Sequence, residues 1–147
     1  MVPITLVEPG EGDPQGRNSI AVDPATGDAH VTFYRSQGAD LFYATCDRSD
    51  CLSEVIESAF DDGRYSAIVV GASGPHVVYY AATTQNLRYA TKASGSWRTY
   101  LVDPAAMVGE YASLARGPDG RLHAAYYDAV AKDALYATLA PECAPGE

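Results

Sequence analysis

Tyrosines, arginines and carboxylates recur at matching places in this chain of 147 residues. Gly16-Arg17-Asn18, Gly63-Arg64-Tyr65 and Gly109-Glu110-Tyr111 are three versions of one segment. Phe33-Tyr34-Arg35, Tyr79-Tyr80-Ala81 and Tyr126-Tyr127-Asp128 are three versions of another. Brought to one face, Arg17, Asn18, Tyr34, Arg35, Arg64, Tyr65, Tyr80, Glu110, Tyr111, Tyr127 and Asp128 would suit a polyol or a sugar. Aromatic ring faces cover the apolar side of a pyranose, and fixed polar groups take its hydroxyls. The competing role for such tyrosines is packing between repeated units, each with its hydroxyl satisfied.

The histidines offer a second chemistry. His30, His76 and His123 each precede one of the aromatic pairs, and each lies 13 residues before the tyrosine of a Tyr-Ala-Thr triplet, at Tyr43, Tyr89 and Tyr136. A symmetric ring of imidazoles could hold a metal or sense pH. No carboxylate accompanies all three at a fixed offset, so the expected role is a hydrogen bond to a turn of the same or a neighbouring unit. No metal site and no other cofactor is assigned. Catalytic residues are not assigned either: Ser73 and Ser96 lack the strand-turn-helix setting of a nucleophile elbow. The segments 23–28 and 117–120 fit ordinary β-turns better than calcium loops. Arg17, Arg35 and Arg64 could imitate a carboxylate clamp, but no nucleophile and acid pair goes with them.

The elements that must position these residues are strands. Gly and Pro recur too often for a helix of useful length, and Val, Thr and Tyr dominate the apolar runs. Three copies begin at Gly16, Gly63 and Gly109, spaced by 47 and 46 residues. The first predicts strands at 19–22, 30–35, 40–46 and 53–58; the second at 66–70, 76–81, 86–92 and 97–103. The third predicts 112–116, 122–128 and 133–139, then stops one strand short. Residues 2–8, Val-Pro-Ile-Thr-Leu-Val-Glu, match the pattern of 97–103 down to the acidic-Pro pair that follows, and read as an outer strand for that incomplete copy. Cys46 and Cys51 bracket a polar turn, where a disulfide is sterically feasible. Cys143 is left over in the Pro-rich tail 141–147, expected to be flexible.

Repeats of this length, each a four-stranded antiparallel unit, mark β-propeller blades. The pattern Gly-x-Tyr-Ser-(Leu/Ile)-Ala, Gly-x-x-His-Val-x-Tyr-Tyr, Leu-x-Tyr-Ala-Thr and Trp-x-x-x-x-Val-Asp resembles the blade repeat of bacterial propeller proteins, many of them surface or secreted. The resemblance implies an all-β fold in which residues 1–140 form three blades, half a propeller. It leaves the compartment open, leaning towards secreted or cell-surface. Three blades fall short of the four to eight of a conventional ring. A homodimer in which each chain donates residues 2–8 to the other's third blade would close a six-bladed ring. A nine-bladed trimer or a fragment of a longer propeller is the alternative.

Composition bounds the function. With 47% apolar and 20% charged residues the chain is globular, and its net charge of −9 argues against nucleic acid and against anionic membrane surfaces as partners. No apolar run approaches a membrane span, and Met1-Val2-Pro3-Ile4-Thr5 lacks the basic and apolar regions of a signal peptide. The expectation is a non-enzymatic module that binds carbohydrate on one face of a self-assembled ring. A glycan-acting hydrolase with its site in the central funnel, or a purely structural fragment, stands as the alternative.

Overall fold

The computed structural model describes residues 17–140, which form eleven strands and no helix. They are β1 (Ser19–Val22), β2 (Ala29–Arg35), β3 (Asp40–Cys46), β4 (Cys51–Glu57), β5 (Asp62–Gly71), β6 (Gly74–Ala81), β7 (Asn86–Thr91), β8 (Arg98–Asp103), β9 (Val108–Arg116), β10 (Leu122–Asp128) and β11 (Asp133–Leu139). Neighbours in sequence pair antiparallel, giving sheets β1-β2-β3-β4, β5-β6-β7-β8 and the three-stranded β9-β10-β11. These are three consecutive propeller blades, the third lacking its outer strand among the described residues. The expected strand at residues 2–8 and the tail 141–147 lie outside the described residues.

Two differences from the predicted strands have physical causes. Strands β5 and β9 begin four residues earlier than expected, because register shifts next to Arg64 and Tyr127 let the glycine-led segments join their ladders. Strand β4 begins at Cys51 because Cys46 and Cys51 are directly opposed in the ladder and disulfide-bonded, with Cα atoms 4.1 Å apart.

The inner strand of each blade nests on the blade before it: β5 packs on β1, β2 and β3, and β9 on β5, β6 and β7. One core cluster, with Leu41, Tyr43, Ile56, Ile68, Val77 and Tyr79, lies between the first two blades. Trp97 adds an edge-on contact to Tyr43 at 5.0 Å. A second cluster, with Val78, Leu87, Tyr89, Val108, Leu122, Ala124 and Tyr126, lies between the second and third. Strand β6 is therefore buried along almost its whole length, which explains its unbroken Val-Val-Tyr-Tyr run. In β10 buried and more open positions alternate, as in a sheet with one uncovered face. Close spacing is set at Gly63 and Gly109, each at positive φ, each against a leucine of the preceding blade.

The histidines act within their own blades. Nδ1 of His30, His76 and His123 lies 2.5, 2.6 and 2.6 Å from the hydroxyl of Tyr43, Tyr89 and Tyr136. Among the described residues the expected turn contact is found for His76, whose Nε2 meets the Ser73 hydroxyl at 2.9 Å, and not for His30 or His123. The Thr45 hydroxyl donates to Tyr43, so the Tyr43 O–H is directed at Nδ1 of a neutral His30. Burial lowers the pKa of His30 and of His76, which keeps both imidazoles neutral and able to accept.

Asp62 is one of four residues among those described, with Tyr79, Arg88 and Trp97, that carry a buried polar atom without a hydrogen-bond partner. It is 1% exposed, and its Oδ1 has no hydrogen-bond partner among the described residues. Burial raises its pKa, opposed by the charge of Arg88. A carboxyl that ionises less readily folded than unfolded stabilises the fold most below the ordinary carboxylate pKa, and that contribution is lost as pH rises through the raised value. Asp62→Asn should therefore gain stability relative to the wild type between pH 3 and pH 7, by about 1–3 kcal/mol. Urea denaturation of both proteins at the two pH values measures this, and a stability difference that ignores pH would refute it.

Candidate functional site

The inner strands carry the tyrosines to one place. Tyr65 and Tyr111 each lie four residues before the residue, Val69 or Ala115, that pairs with the histidine of their blade. Both adopt φ 54°, a left-handed conformation uncommon for a bulky side chain and compatible here with the irregular ladders on either side. Their rings meet with centroids 4.5 Å apart. Tyr80 approaches Tyr65 at 6.3 Å and Tyr127 approaches Tyr111 edge-on at 6.2 Å, so Tyr80, Tyr65, Tyr111 and Tyr127 form one aromatic run. The guanidinium of Arg17 lies 5.8 Å from the centroid of Tyr111.

Arg17, not Asn18, is the first-blade counterpart of those two tyrosines. Ala21 pairs with His30 as Val69 pairs with His76, and four residues before Ala21 is Arg17. Counting from the glycines instead equates Asn18 with Tyr65 and Tyr111. The first copy is one residue shorter ahead of its inner strand, so the two counts disagree, and the ladder decides. Asn18 is exposed.

A polar group adjoins the run at the junction of the first two blades. The Tyr34 hydroxyl donates to Asp61 Oδ1 at 2.8 Å, and Arg64 donates to the same carboxylate through Nε at 3.2 Å and Nη2 at 2.6 Å. The Arg64 guanidinium also lies 5.4 Å from the centre of the Tyr34 ring. Burial is the main cause of the raised Tyr34 pKa, followed by its bond to Asp61. Sequence reasoning missed Asp61; its only signal was a position three residues before Arg64, on the turn that enters β5.

At the next junction Met107 stands where Asp61 stands, and Glu110 where Arg64 stands. Glu110 pairs with Tyr127 in the ladder, as Arg64 pairs with Tyr80. Its charge adds to the raised pKa of two tyrosines. For Tyr65 the neighbouring Tyr111 side chain is the largest cause, ahead of burial; for Tyr80 burial leads and Glu110 follows.

Arg35 and Asp128 do not join the run. They follow Tyr34 and Tyr127 by one residue, and successive side chains of a strand point to opposite faces. Arg35 lies over the Phe42 ring at 4.7 Å, and Asp128 accepts the amides of Val130 and Ala131 at 2.8 and 2.9 Å, closing the turn after β10. Of the eleven residues expected to line the site, Arg17, Tyr34, Arg64, Tyr65, Tyr80, Glu110, Tyr111 and Tyr127 are brought together; Asn18 is exposed next to Arg17 in the chain, and Arg35 and Asp128 serve their own blades.

No family model matches the chain, and no curated protein sequence is similar to it. Among solved structures it is similar to a fucose lectin from Kordia zhangzhouensis in complex with methyl-fucoside. The identity is 14% and the TM-score 0.54, over 84% of this chain and 92% of that one. At that identity the likeness is one of fold.

Proposed function

We propose that this protein is a non-enzymatic carbohydrate-binding module, and that two chains close a six-bladed ring by exchanging residues 2–8. The observation that carries the binding reading is the run of four tyrosines flanked by Arg17 and by the Tyr34-Asp61-Arg64 group. Aromatic rings held in place by strands lose little freedom on binding, and polar groups already fixed by one another present defined partners to sugar hydroxyls. The similar fold of a fucose lectin supports the reading without supplying a ligand. Closing the ring doubles each site, so weak individual contacts add up to useful avidity on a multivalent glycan.

A glycan array probed with the labelled protein tests this, together with product analysis on each glycan that binds. Binding without turnover is expected, and Tyr65→Ala should weaken it at least about 10-fold, the loss expected for one buried aromatic contact. Turnover of a bound glycan would replace the module by a hydrolase, and absence of binding across the array would leave a structural role.

A further inference from the structure

We propose that the junction of the second and third blades, at Tyr65, Tyr80 and Glu110, selects the protonated amine of an amine-bearing sugar. This ligand class rests on the carbohydrate reading above and narrows it.

The inference comes from comparing two junctions built on one plan. At the first, the position after the blade-opening glycine is Arg64, and the position two before that glycine is Asp61; the two neutralise each other at 2.6 Å over the ring of Tyr34. At the second, the same two positions hold Glu110 and Met107. The cation has become a carboxylate and the carboxylate has become a thioether, so the pair is not simply reversed. Glu110 forms no ion pair among the described residues. It is half-buried, opposite Tyr127 in the ladder and next in sequence to Tyr111, whose ring meets Tyr65 at 4.5 Å with Tyr80 beyond it at 6.3 Å; its charge also contributes to the raised pKa of Tyr65 and Tyr80.

A carboxylate beside aromatic faces is a cation site by two routes. The ring quadrupoles attract positive charge, and the carboxylate accepts a charge-assisted hydrogen bond from an ammonium. The cluster already accommodates one cation, since the Arg17 guanidinium lies against Tyr111. An ammonium carried on a pyranose would reach Glu110 while the apolar face of the sugar rests on a tyrosine. The net charge of −9 favours the approach of a cationic ligand over an acidic one.

The test titrates the full chain, by calorimetry at pH 6, with three probes: methyl glucoside, its 2-amino-2-deoxy counterpart and tetramethylammonium chloride. The amino sugar should bind at least about 10-fold more tightly than the neutral one, and Glu110→Gln should cut that preference to about 3-fold or less. Glu110→Asp keeps the charge and should keep part of the preference, which separates loss of charge from loss of fold. A neutral sugar that binds as well as its amino counterpart overturns the inference and leaves the carbohydrate reading intact. So does a preference that survives Glu110→Gln. Binding of tetramethylammonium alone would support the cation site and remove the sugar reading. No binding of any probe would remove both.

Discussion

Gly63→Ala should destabilise the protein by about 2–5 kcal/mol, more than most point substitutions do. Two costs add. Gly63 has φ +111°, which side-chain-bearing residues rarely adopt, at roughly 1–2 kcal/mol. Its new Cβ would also stand 2.4 Å from Leu41 Cβ and 2.9 Å from Leu41 Cα, and a backbone atom of the neighbouring blade cannot swing aside as a side-chain tip can. Such overpacking adds about 1–3 kcal/mol. Gly74 is the internal control: its φ is +101°, but nothing lies within 4 Å of a Cβ built there, so Gly74→Ala should show the first cost alone. Urea denaturation of the two variants separates the terms. If Gly63→Ala proves no worse than Gly74→Ala, the blades are not held at the spacing the structure gives them. Gly109→Ala, whose Cβ would sit 2.9 Å from Leu87 Cα, should behave like Gly63→Ala. Arg64 and Tyr65 directly follow Gly63, so any repacking there moves the candidate site with it.

The same landmarks show what could be read from residues alone. The spacing of 13 between each histidine and a tyrosine is the spacing of a hydrogen bond across adjacent strands, repeated in each blade. It was legible because antiparallel pairing through a short turn converts a sequence interval into a contact. The interval named the pair, but not that the two residues bond to each other rather than to a turn. Strands β1, β3, β10 and β11 agree with the expected bounds because plain alternation between clear turns defines them. The inner strands β5 and β9 were harder, since a glycine followed one residue later by a positive-φ tyrosine reads as a turn even when the ladder runs through it. The slip from Arg17 to Asn18 has the same origin: an irregular inner strand makes the count from the glycine differ from the count from the histidine. Asp61 was not legible because its partners, Tyr34 and Arg64, come from different blades, and only the packing of one blade on the next makes them neighbours.

Ile20→Asp should convert the proposed two-chain ring into a folded single chain. Ile20 faces Val31 in its ladder as Ile68 faces Val77, yet Ile68 is 5% exposed and Ile20 is 65% exposed. The difference is the presence of a preceding blade. At the opposite end Tyr136 is 63% exposed, while Tyr89 and Tyr43, its counterparts in the Tyr-Ala-Thr triplets, are 1% and 4% exposed because another blade follows them. These are the two halves of one interblade interface left at the two ends of the arc, and Val22, at 59%, lies beside Ile20 on the first half. A second copy, turned about a twofold axis, would bring each end against its complement and bury both twice. An aspartate costs little at a position that is open in the single chain. In the ring it would forfeit about 2 kcal/mol of apolar burial at each of two interfaces, before any penalty for the buried charge. That sum of about 4 kcal/mol weakens association by roughly 10³-fold. Light scattering should give the wild type twice the chain mass and the variant the mass of one chain, with unchanged circular dichroism. On the proposed exchange, deleting residues 2–8 should do the same by removing the strand assigned to the open edge of β11. A wild type that is monomeric at micromolar concentration, or an Ile20→Asp variant that stays dimeric, would mean that these exposed faces do not meet each other.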